Sequence, residues 1–265
     1  MREIKTIVTT AGRPDDVSMA LAAFACNELE ASFELRKKRS IRKISEELHA
    51  HVVVAGKNRF EYYAFGVNEP FFFHPNSAAF RLKRVARGEA EPFLEAAQLE
   101  IGDSLLDCTL GLAADAMLAA YTVGGEGRVV GLEANPNVAF IVKQGMQTYD
   151  TSELPLTECM RHIEVIQAEA TWYLKNLPDK SFDVVYMDPM FEEIIGEATN
   201  FEALRRAGEH ASLTDEWVRE AQRVAKKRVV LKAHFRSEWF AKYQIQRYER
   251  LTAKFHYGVM DTSNL

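Results

Sequence analysis

A long, regular alternation of apolar segments and amphipathic segments in the second part of the chain constrains the fold more than any other feature. The apolar segments are typical of buried strands and lie at 104–109, 128–133, 163–168, 182–187 and 228–232. Helical periodicity occurs between them, at 113–123, 136–149 and 213–225. Strands that are apolar along their whole length and separated by helices predict a parallel sheet covered on both faces.

Two further strand-like segments, 244–251 and 254–260, close the chain. Too few residues separate them for a crossover helix, so we expect them to pair antiparallel. A parallel sheet that ends in an antiparallel hairpin is typical of class I methyltransferases rather than of NAD-dependent dehydrogenases. The fold class that we predict is therefore α/β, with a Rossmann-like methyltransferase sheet.

The first seventy-odd residues predict a small α/β domain of their own. Strand patterns occur at 4–9, 33–36, 51–55 and 59–65, and helical patterns at 17–29 and 40–48, the second with Ser40 as its N-cap. The segment 70–76, rich in Phe and Pro, interrupts this alternation, and a basic helix begins near Ser77. We therefore predict two domains, 1–75 and 76–265.

Composition excludes several classes of protein. The chain of 265 residues is 47% hydrophobic and 27% charged, as in ordinary globular proteins. No apolar run approaches the roughly 20 residues of a membrane span, and the three cysteines lack paired spacing. The seven histidines lack ligand spacing. We expect a cytoplasmic protein with neither a metal site nor a membrane partner, and we make no prediction of its oligomeric state.

Acidic residues follow the predicted strands at the edge where open α/β sheets bind their ligands. Asp107 ends the first strand, and Gly111, Ala114 and Asp115 lie in the turn and helix start that follow. The glycine fingerprint of dinucleotide sites is missing, and two carboxylates would repel phosphates. They suit the cationic sulfonium of S-adenosylmethionine (SAM) better, although an ordinary strand-to-helix turn would have a similar sequence.

Two other strand ends complete the predicted donor site. Glu133 ends the second strand, 26 residues after Asp107, where a carboxylate can accept both ribose hydroxyls, and Ala134 follows it. Glu169 and Ala170 follow the third strand, near the expected position of an adenine ring. Glu133 and Glu169 could equally be surface carboxylates.

The most specific motif follows the fourth strand and consists of Asp188, Pro189, Met190 and Phe191. Amino-methyltransferases have a loop of the form [D/N]-P-P-[Y/F] at this position. Its first side chain accepts hydrogen bonds from the target amine, and its aromatic ring stacks on the base. Because an aryl amine is a poor nucleophile, the motif acts through orientation and charge stabilisation. The alternative is a strand that ends in an Asp-Pro turn.

These motifs together resemble the guanine-N2-methyltransferase J family of small-subunit ribosomal RNA, the RsmJ-like group. The resemblance covers about residues 77–260 and rests on segments 107–116, 132–136, 186–191 and 227–232. It implies that Asp115, Glu133, Glu169 and Asp188 bind SAM and that a guanine amine is methylated. Over its whole length the chain resembles the YpiP-type branch of methyltransferases still more than it resembles the RsmJ-like group.

The sequence departs from the RsmJ-like pattern at two places beside the target pocket. Phe191 is followed by Glu192 and Glu193 rather than by proline and basic residues, and Lys232 is followed by Ala233 and His234 rather than by Arg-Pro. The fold and the donor therefore carry over better than the exact substrate does.

Basic residues form clusters although the formal net charge is −5. Segments 7–14, 36–41 and 53–57 also resemble the Brix-domain proteins of ribosome assembly. This resemblance implies structured RNA, in particular ribosomal RNA, as the partner. The residues predicted to bind RNA are Arg13, Arg36, Lys37, Lys38, Arg39, Arg84, Arg87 and Lys232.

Three alternatives to a ribosomal RNA methyltransferase remain at the level of sequence. One is a SAM-binding or RNA-binding protein without catalysis, favoured by Glu192, Glu193 and the net acidity. A second is an amine methyltransferase that acts on DNA or protein. The third, a nucleotide-dependent oxidoreductase, is disfavoured by the missing glycine fingerprint and by the terminal hairpin.

Overall fold

A computed structural model describes residues 4–151, 155–189, 213–250 and 253–263. Within these residues the chain forms two compact units, one containing 4–74 and 135–149, the other containing 75–134 and the described residues from 150 onward. The two-domain division at 75 stays a prediction. Segment 135–149, which the sequence pattern assigns to the second domain, lies in the first unit by its contacts.

The first unit contains a four-stranded sheet in the order β2-β1-β3-β4. Its strands are β1 Lys5–Thr10, β2 Ser32–Phe33, β3 Ala50–Ala55 and β4 Phe60–Tyr63, and its helices are α1 Asp16–Glu28, α2 Ile41–Leu48 and α6 Pro136–Thr148. Strands β2 and β3 run parallel to β1, and β4 runs antiparallel to β3. The carboxyl ends of β1, β2 and β3 therefore lie at one edge of the sheet.

Side-chain caps determine where the first two helices begin. The Asp15 carboxylate accepts the Ser18 N–H at 2.9 Å, and the Ser18 hydroxyl accepts the Asp15 N–H at 2.8 Å, which makes a reciprocal capping box. Ser40 caps α2 by accepting the Lys43 N–H at 3.2 Å, as predicted from the sequence. Helix α6 packs on the sheet through Phe140, whose ring meets the Phe60 ring edge-on at 4.9 Å.

The second unit contains a seven-stranded sheet in the order β10-β11-β9-β8-β5-β6-β7. Its strands are β5 Ser104–Asp107, β6 Arg128–Glu133, β7 Ile163–Gln167, β8 Phe182–Met187, β9 Ala225–His234, β10 Gln246–Tyr248 and β11 Phe255–Asp261. Strands β5 to β9 are mutually parallel, whereas β11 pairs antiparallel with both β9 and β10. This arrangement confirms the predicted Rossmann-like sheet with its antiparallel hairpin.

The helices of the second unit are mostly short. They are α3 Asn76–Val85, α4 Pro92–Ala97, α5 Ala114–Val123, α7 Leu156–His162, α8 Ala170–Lys175, α9 Asp215–Val224 and α10 Trp239–Lys242. None of the described helices combines the length and the apolarity that a crossing of a membrane requires. Buried side chains of the central strands, such as Leu106, Val130 and Val185, join Trp217 of α9 in one hydrophobic cluster.

Candidate active site

Three neighbouring parallel strands bring acidic residues to one edge of the large sheet. Strand β5 lies between β8 and β6, and Asp107, its last residue, pairs in register with Tyr186 of β8 and Gly131 of β6. Glu133 is the last residue of β6, and Asp188 directly follows β8. Since parallel strands end at the same edge, the structure places Asp107, Glu133 and Asp188 at a single edge.

Thr109 joins the turns that follow β5 and β8. Its N–H donates to Asp107 Oδ1 at 2.9 Å, and its hydroxyl donates to the same oxygen at 3.3 Å. The Thr109 hydroxyl oxygen also accepts the backbone N–H of Asp188 at 2.8 Å. Thr109 therefore fixes the position at which the Asp188 backbone leaves β8.

An ion pair holds the Asp188 side chain. Lys232, on β9, places its Nζ atom 2.6 Å from Asp188 Oδ2 and 3.7 Å from Asp115 Oδ2. The Lys232 side chain is 25% exposed and that of Asp188 is 29% exposed, so water only partly screens the pair. Lys232 was predicted to bind RNA, but in the structure its ammonium group is engaged by these two carboxylates.

Asp115 lies in the first turn of α5 and is buried by other side chains. Its Oδ1 accepts from Arg81 Nη1 at 2.8 Å, and its Oδ2 accepts from the Tyr186 hydroxyl at 2.8 Å. Arg81 also binds Glu91 Oε1 at 2.5 Å. Asp115 therefore links α3, α5 and β8 and has protein partners on both carboxylate oxygens.

Within the described residues the cations Lys232 and Arg81 pair with Asp115 and Asp188 but not with Asp107, and the pKa values of these three carboxyl groups diverge accordingly. Burial, with smaller contributions from the charges of Asp115 and Asp188, raises the pKa of Asp107 to about 8. Burial also raises the pKa of Asp188, although Lys232 opposes that shift. For Asp115, the cations Lys232 and Arg81 outweigh the effect of burial and hold the pKa below its ordinary value. At neutral pH Asp107 is thus protonated, whereas the nearby Asp115 is ionised.

The turn between β5 and α5 has an unusual backbone. Gly111 has φ of 48° and Ala113 has φ of 60°, so two residues of the turn adopt the left-handed conformation. For the buried Ala113 this conformation is strained, and such strain is often found at ligand-binding turns. Among the described residues, no side chain accepts a hydrogen bond from the first N–H groups of α5, which begins at Ala114.

The other residues predicted to bind the donor lie on the neighbouring strands. Glu133 and Ala134 are half-buried at the end of β6, and the Ala134 carbonyl accepts from Gln167 Nε2 at 3.2 Å. The Glu169 carboxylate caps α8 by accepting the N–H groups of Thr171 and Trp172 at 2.9 and 2.7 Å. Because of this capping, Glu169 has a structural role of its own. Ala170, the first residue of α8, is buried.

The described part of the catalytic motif ends at Pro189, which is buried. Met190 and Phe191 lie outside the described residues. Within the described ranges, no group of three or more His, Cys, Asp or Glu side chains is placed to hold a metal ion.

The predicted RNA-binding residues differ in how far they are neutralised. Arg39 pairs with Glu34 and with Glu47, and its own neighbour Arg36 donates from Nε to the Arg39 carbonyl at 3.0 Å. Lys37 and Lys38 are exposed in left-handed backbone conformations.

The remaining predicted cations lie just after β1 and at or just beyond the end of α3. Arg13 is exposed after β1. Arg84 and Arg87 both pair with Glu89, at 2.8 and 3.1 Å. Sequence clusters of basic residues thus overstate the free positive charge at Arg39, Arg84 and Arg87.

Sequence reasoning missed Thr109, Arg81 and Tyr186 as members of the site. Arg81 and Asp115 are 34 residues apart, and Tyr186 and Asp115 are 71 residues apart, so no local pattern joins them. Thr109 and Tyr186 did carry a signal, because Thr109 lies two residues beyond Asp107 and Tyr186 lies two residues before Asp188 in motifs already predicted to form the site.

Comparison with known proteins agrees with this geometry. Residues 70–256 match the model of the family described as "Putative SAM-dependent methyltransferase". The chain is 41% identical to the protein YpiP of Bacillus subtilis over 257 residues, which is 97% of this chain and all of that protein. It is 33% identical to ribosomal RNA small subunit methyltransferase J of Acinetobacter baylyi over 115 residues, a segment that covers 43% of this chain and 41% of that enzyme.

A solved structure shows the same fold. The SAM-dependent methyltransferase from Neisseria gonorrhoeae superimposes with a TM-score of 0.60 at 17% identity and covers 97% of this chain and 96% of its own. The family model spans most of the chain, and the large sheet has the parallel strands and the antiparallel hairpin predicted for a methyltransferase. The chain therefore belongs to the family of SAM-dependent methyltransferases and uses SAM as its methyl donor.

Proposed function

We propose that this enzyme methylates an exocyclic base amine, and that this amine belongs to a guanine of ribosomal RNA. The observation that carries the proposal is the Asp188 carboxylate, which follows β8 and is fixed by Thr109 through its backbone and by Lys232 through its side chain. The partial similarity to methyltransferase J supports ribosomal RNA as the parent molecule.

The residues at this edge fit the donor. Glu133 would hold the ribose hydroxyls, and the left-handed turn at Gly111 and Ala113 would let the backbone approach the donor closely. Asp115 and Glu169 already have protein partners, so Asp115 would act mainly through its charge and Glu169 mainly by capping α8. When bound, SAM supplies a methyl group activated by the positive sulfonium.

Asp188 would orient the nucleophile. Its carboxylate accepts a hydrogen bond from the amine N–H, so that the nitrogen lone pair points at the methyl carbon in line with the departing sulfur. As the N–C bond formed and the bond from sulfur to the methyl carbon broke, positive charge would develop on the nitrogen, and the carboxylate would stabilise that charge and accept the proton that the nitrogen releases. Lys232 keeps the carboxylate in one position throughout.

The target base has to leave its stack to reach such a site. Phe191, predicted to stack on the base, would form one wall of the pocket. The exposed basic loops of the first unit, at Arg13, Lys37 and Lys38, would bind the phosphate backbone of structured RNA.

Methyl transfer by the Asp188→Ala variant tests the proposal. Ribosomal RNA from cells that lack this protein is incubated with labelled SAM, and donor binding is measured separately by titration calorimetry. We expect methyl transfer to fall by about 100-fold or more, as when a preorganised polar group is removed from an active site, while the Kd for SAM changes only a few-fold.

Asp183→Asn is the matched control, because Asp183 lies near the amino end of the same strand and binds Ser104 there at 2.6 Å. The Asp183→Asn variant should transfer methyl groups at the wild-type rate. Equal losses of transfer and of donor binding in Asp188→Ala would contradict the role assigned to Asp188. A wild-type enzyme that binds SAM but methylates no RNA would contradict the proposed substrate.

A further inference from the structure

An aromatic and basic surface lies beyond the end of β9, the strand that carries Lys232. Phe235 and Arg236 follow the strand directly, and Arg247, Arg250 and Lys254 come from the hairpin side of the sheet. We call these five residues the Phe235 patch. The sequence motifs did not include any of them.

Hydrogen bonds and ring contacts join the patch into one surface. The Phe235 N–H donates to the Lys254 carbonyl at 2.9 Å, and Arg247 Nη1 donates to the Phe235 carbonyl at 3.0 Å. The Arg236 guanidinium carbon lies 5.1 Å from the centre of the Phe235 ring. The centre of the His256 ring lies 6.2 Å from that of the Phe235 ring, and His256 Nε2 lies 3.0 Å from the Arg250 carbonyl oxygen.

The Phe235 ring is accessible to solvent, since the residue is 38% exposed. Arg236, Arg250 and Lys254 are also exposed, and within the described residues none of these three forms an ion pair. Arg247 is paired with Glu249. Residues 233–256 contain more Lys and Arg than Glu, although the whole chain has a net charge of −5. The patch is therefore a local excess of positive charge around an exposed ring.

The patch lies at the same edge of the sheet as the candidate active site. Strand β9 runs parallel to β8, so both strands leave the sheet on the side of Asp188. Lys232 contacts Asp188, and Phe235 follows three residues later, which is about 10 Å along an extended chain. That distance matches one or two nucleotides of an extended strand.

We infer that the Phe235 patch binds the single-stranded nucleotides that flank the methylated base, with one base stacked on Phe235 and phosphates bound by Arg236, Arg250 and Lys254. This inference deepens the proposed function and rests on it for the identity of the polymer. Stacking on an exposed ring tolerates any base, and unpaired cations match a phosphate backbone.

Direct binding of RNA to the full-length protein tests the inference. The probe is a fluorescein-labelled single-stranded RNA of about 12 nucleotides, measured by anisotropy over a series of salt concentrations. Phe235→Ala should weaken binding about ten-fold, and Phe235→Trp should restore it, since Trp also stacks. Arg236→Gln should weaken binding and reduce the slope of log Kd against log salt by up to about one.

Two residues at the opposite edge serve as matched controls. Tyr121, at the far end of α5, is 37% exposed, and Arg128 begins β6. Tyr121→Ala and Arg128→Gln should leave the Kd for RNA unchanged. SAM affinity, measured for every variant, should stay at the wild-type value and would show that each variant is folded.

The outcomes separate this inference from the proposed function. Wild-type binding that Phe235→Ala and Arg236→Gln leave unchanged would overturn the inference, even if the enzyme methylates RNA. Binding that both variants weaken, without methyl transfer to any RNA, would support the patch and contradict the proposed function. A wild-type protein that does not bind the probe would also overturn the inference.

Discussion

At the scale of residues, the site depends on a continuous chain of contacts from Asp107 through Thr109, Asp188 and Lys232 to Asp115. The sequence predicted the acidic members, because each stands at the end of an apolar strand or in the turn after it. It did not predict their partners, because the distances that matter join residues that are far apart in sequence. Lys232 and Asp188 are 44 residues apart, and Lys232 was predicted to bind RNA rather than to pair with Asp188.

Replacement of Lys232 by Met should lower kcat and shift its pH dependence. Without the ammonium group, burial of Asp188 is no longer opposed by its nearest cation, so the pKa of Asp188 should rise further. If Asp188 acts as a carboxylate, activity is lost as pH falls through that pKa, and the acid limb of the kcat profile should move to higher pH. At neutral pH we expect kcat to fall by about ten-fold for each pH unit by which the acid limb moves beyond neutrality, because the ionised fraction of Asp188 falls in that proportion.

Lys227→Met is the control for that experiment. Lys227 is also on β9 and forms an ion pair with Asp103 at 2.7 Å, but it lies near the amino end of the strand. Its removal can lower stability but should leave the acid limb of the pH profile in place. A Lys232→Met enzyme with an unshifted profile would show that Lys232 does not act through Asp188.

Asp107 should make the protein less stable as pH rises, contrary to most aspartates. The folded state holds a proton on Asp107 up to about pH 8, whereas an unfolded chain releases it near pH 4. The contribution of Asp107 to the free energy of unfolding is therefore fully present below pH 4 and is lost as pH rises toward 8.

Urea unfolding of the wild type and of Asp107→Asn, at several pH values, measures this effect. The wild type should lose stability relative to the variant by on the order of 1 kcal/mol per pH unit between about pH 4 and pH 8. Asparagine retains an oxygen that can accept the Thr109 N–H, so the variant isolates the titration. A difference between the two proteins that stays constant over this range would mean that Asp107 is ionised in the fold.

At the scale of elements, the long strands and helices of the second unit follow their sequence patterns closely. The predicted strand 182–187 is β8 itself, and the predicted helix 213–225 corresponds to Asp215–Val224. Helices α4, α7 and α8, of six, seven and six residues, were not predicted. Helices of that length contain fewer than two turns, so an apolar period of 3.6 residues cannot become visible.

We expect that only glycine fits at position 131, where β6 passes the turn that follows β5. A Cβ atom at this position would lie 2.3 Å from Leu110 Cδ1, so a side chain here would displace Leu110 and the turn beside the candidate donor site. Gly131→Ala should lower the free energy of unfolding by about 1–3 kcal/mol, the usual cost of overpacking, and should weaken SAM binding.

Gly125→Ala is the matched control, because a Cβ atom there would have no neighbour within 4 Å. Its stability should stay within about 0.5 kcal/mol of the wild type. Denaturant unfolding and SAM titration measure both variants. Equal stability of Gly131→Ala and Gly125→Ala would mean that Leu110 has room to move aside.

At the scale of the whole molecule, the parallel sheet and its antiparallel hairpin could be predicted from the pattern of elements, and the RNA partner could not. Basic clusters in the sequence include residues that the structure neutralises, such as Arg39 beside Glu34 and Glu47. They also include exposed residues, such as Lys37 and Lys38, for which no ion pair occurs within the described residues. Sequence alone could not separate these two groups, because the acidic partners reach the cations through the fold.

The double variant Lys37→Gln/Lys38→Gln should therefore weaken binding to RNA of any sequence by a similar factor. The slope of log Kd against log salt concentration should decrease by about one for each phosphate contact that is lost. Lys43→Gln is the control, since Lys43 is exposed on α2 but pairs with Glu47 at 3.8 Å. It should have little effect on the Kd for RNA. A double variant with the wild-type Kd and the wild-type salt slope would remove the first unit from the RNA-binding surface.

Mass-spectrometric mapping of ribosomal RNA tests the central claim most directly. Cells that produce the wild-type protein are compared with cells that lack it and with cells that produce Asp188→Ala at the same level. The account predicts that one N-methylated guanosine is present with the wild type and absent in the other two strains. Identical methylation of ribosomal RNA in all three strains would contradict it.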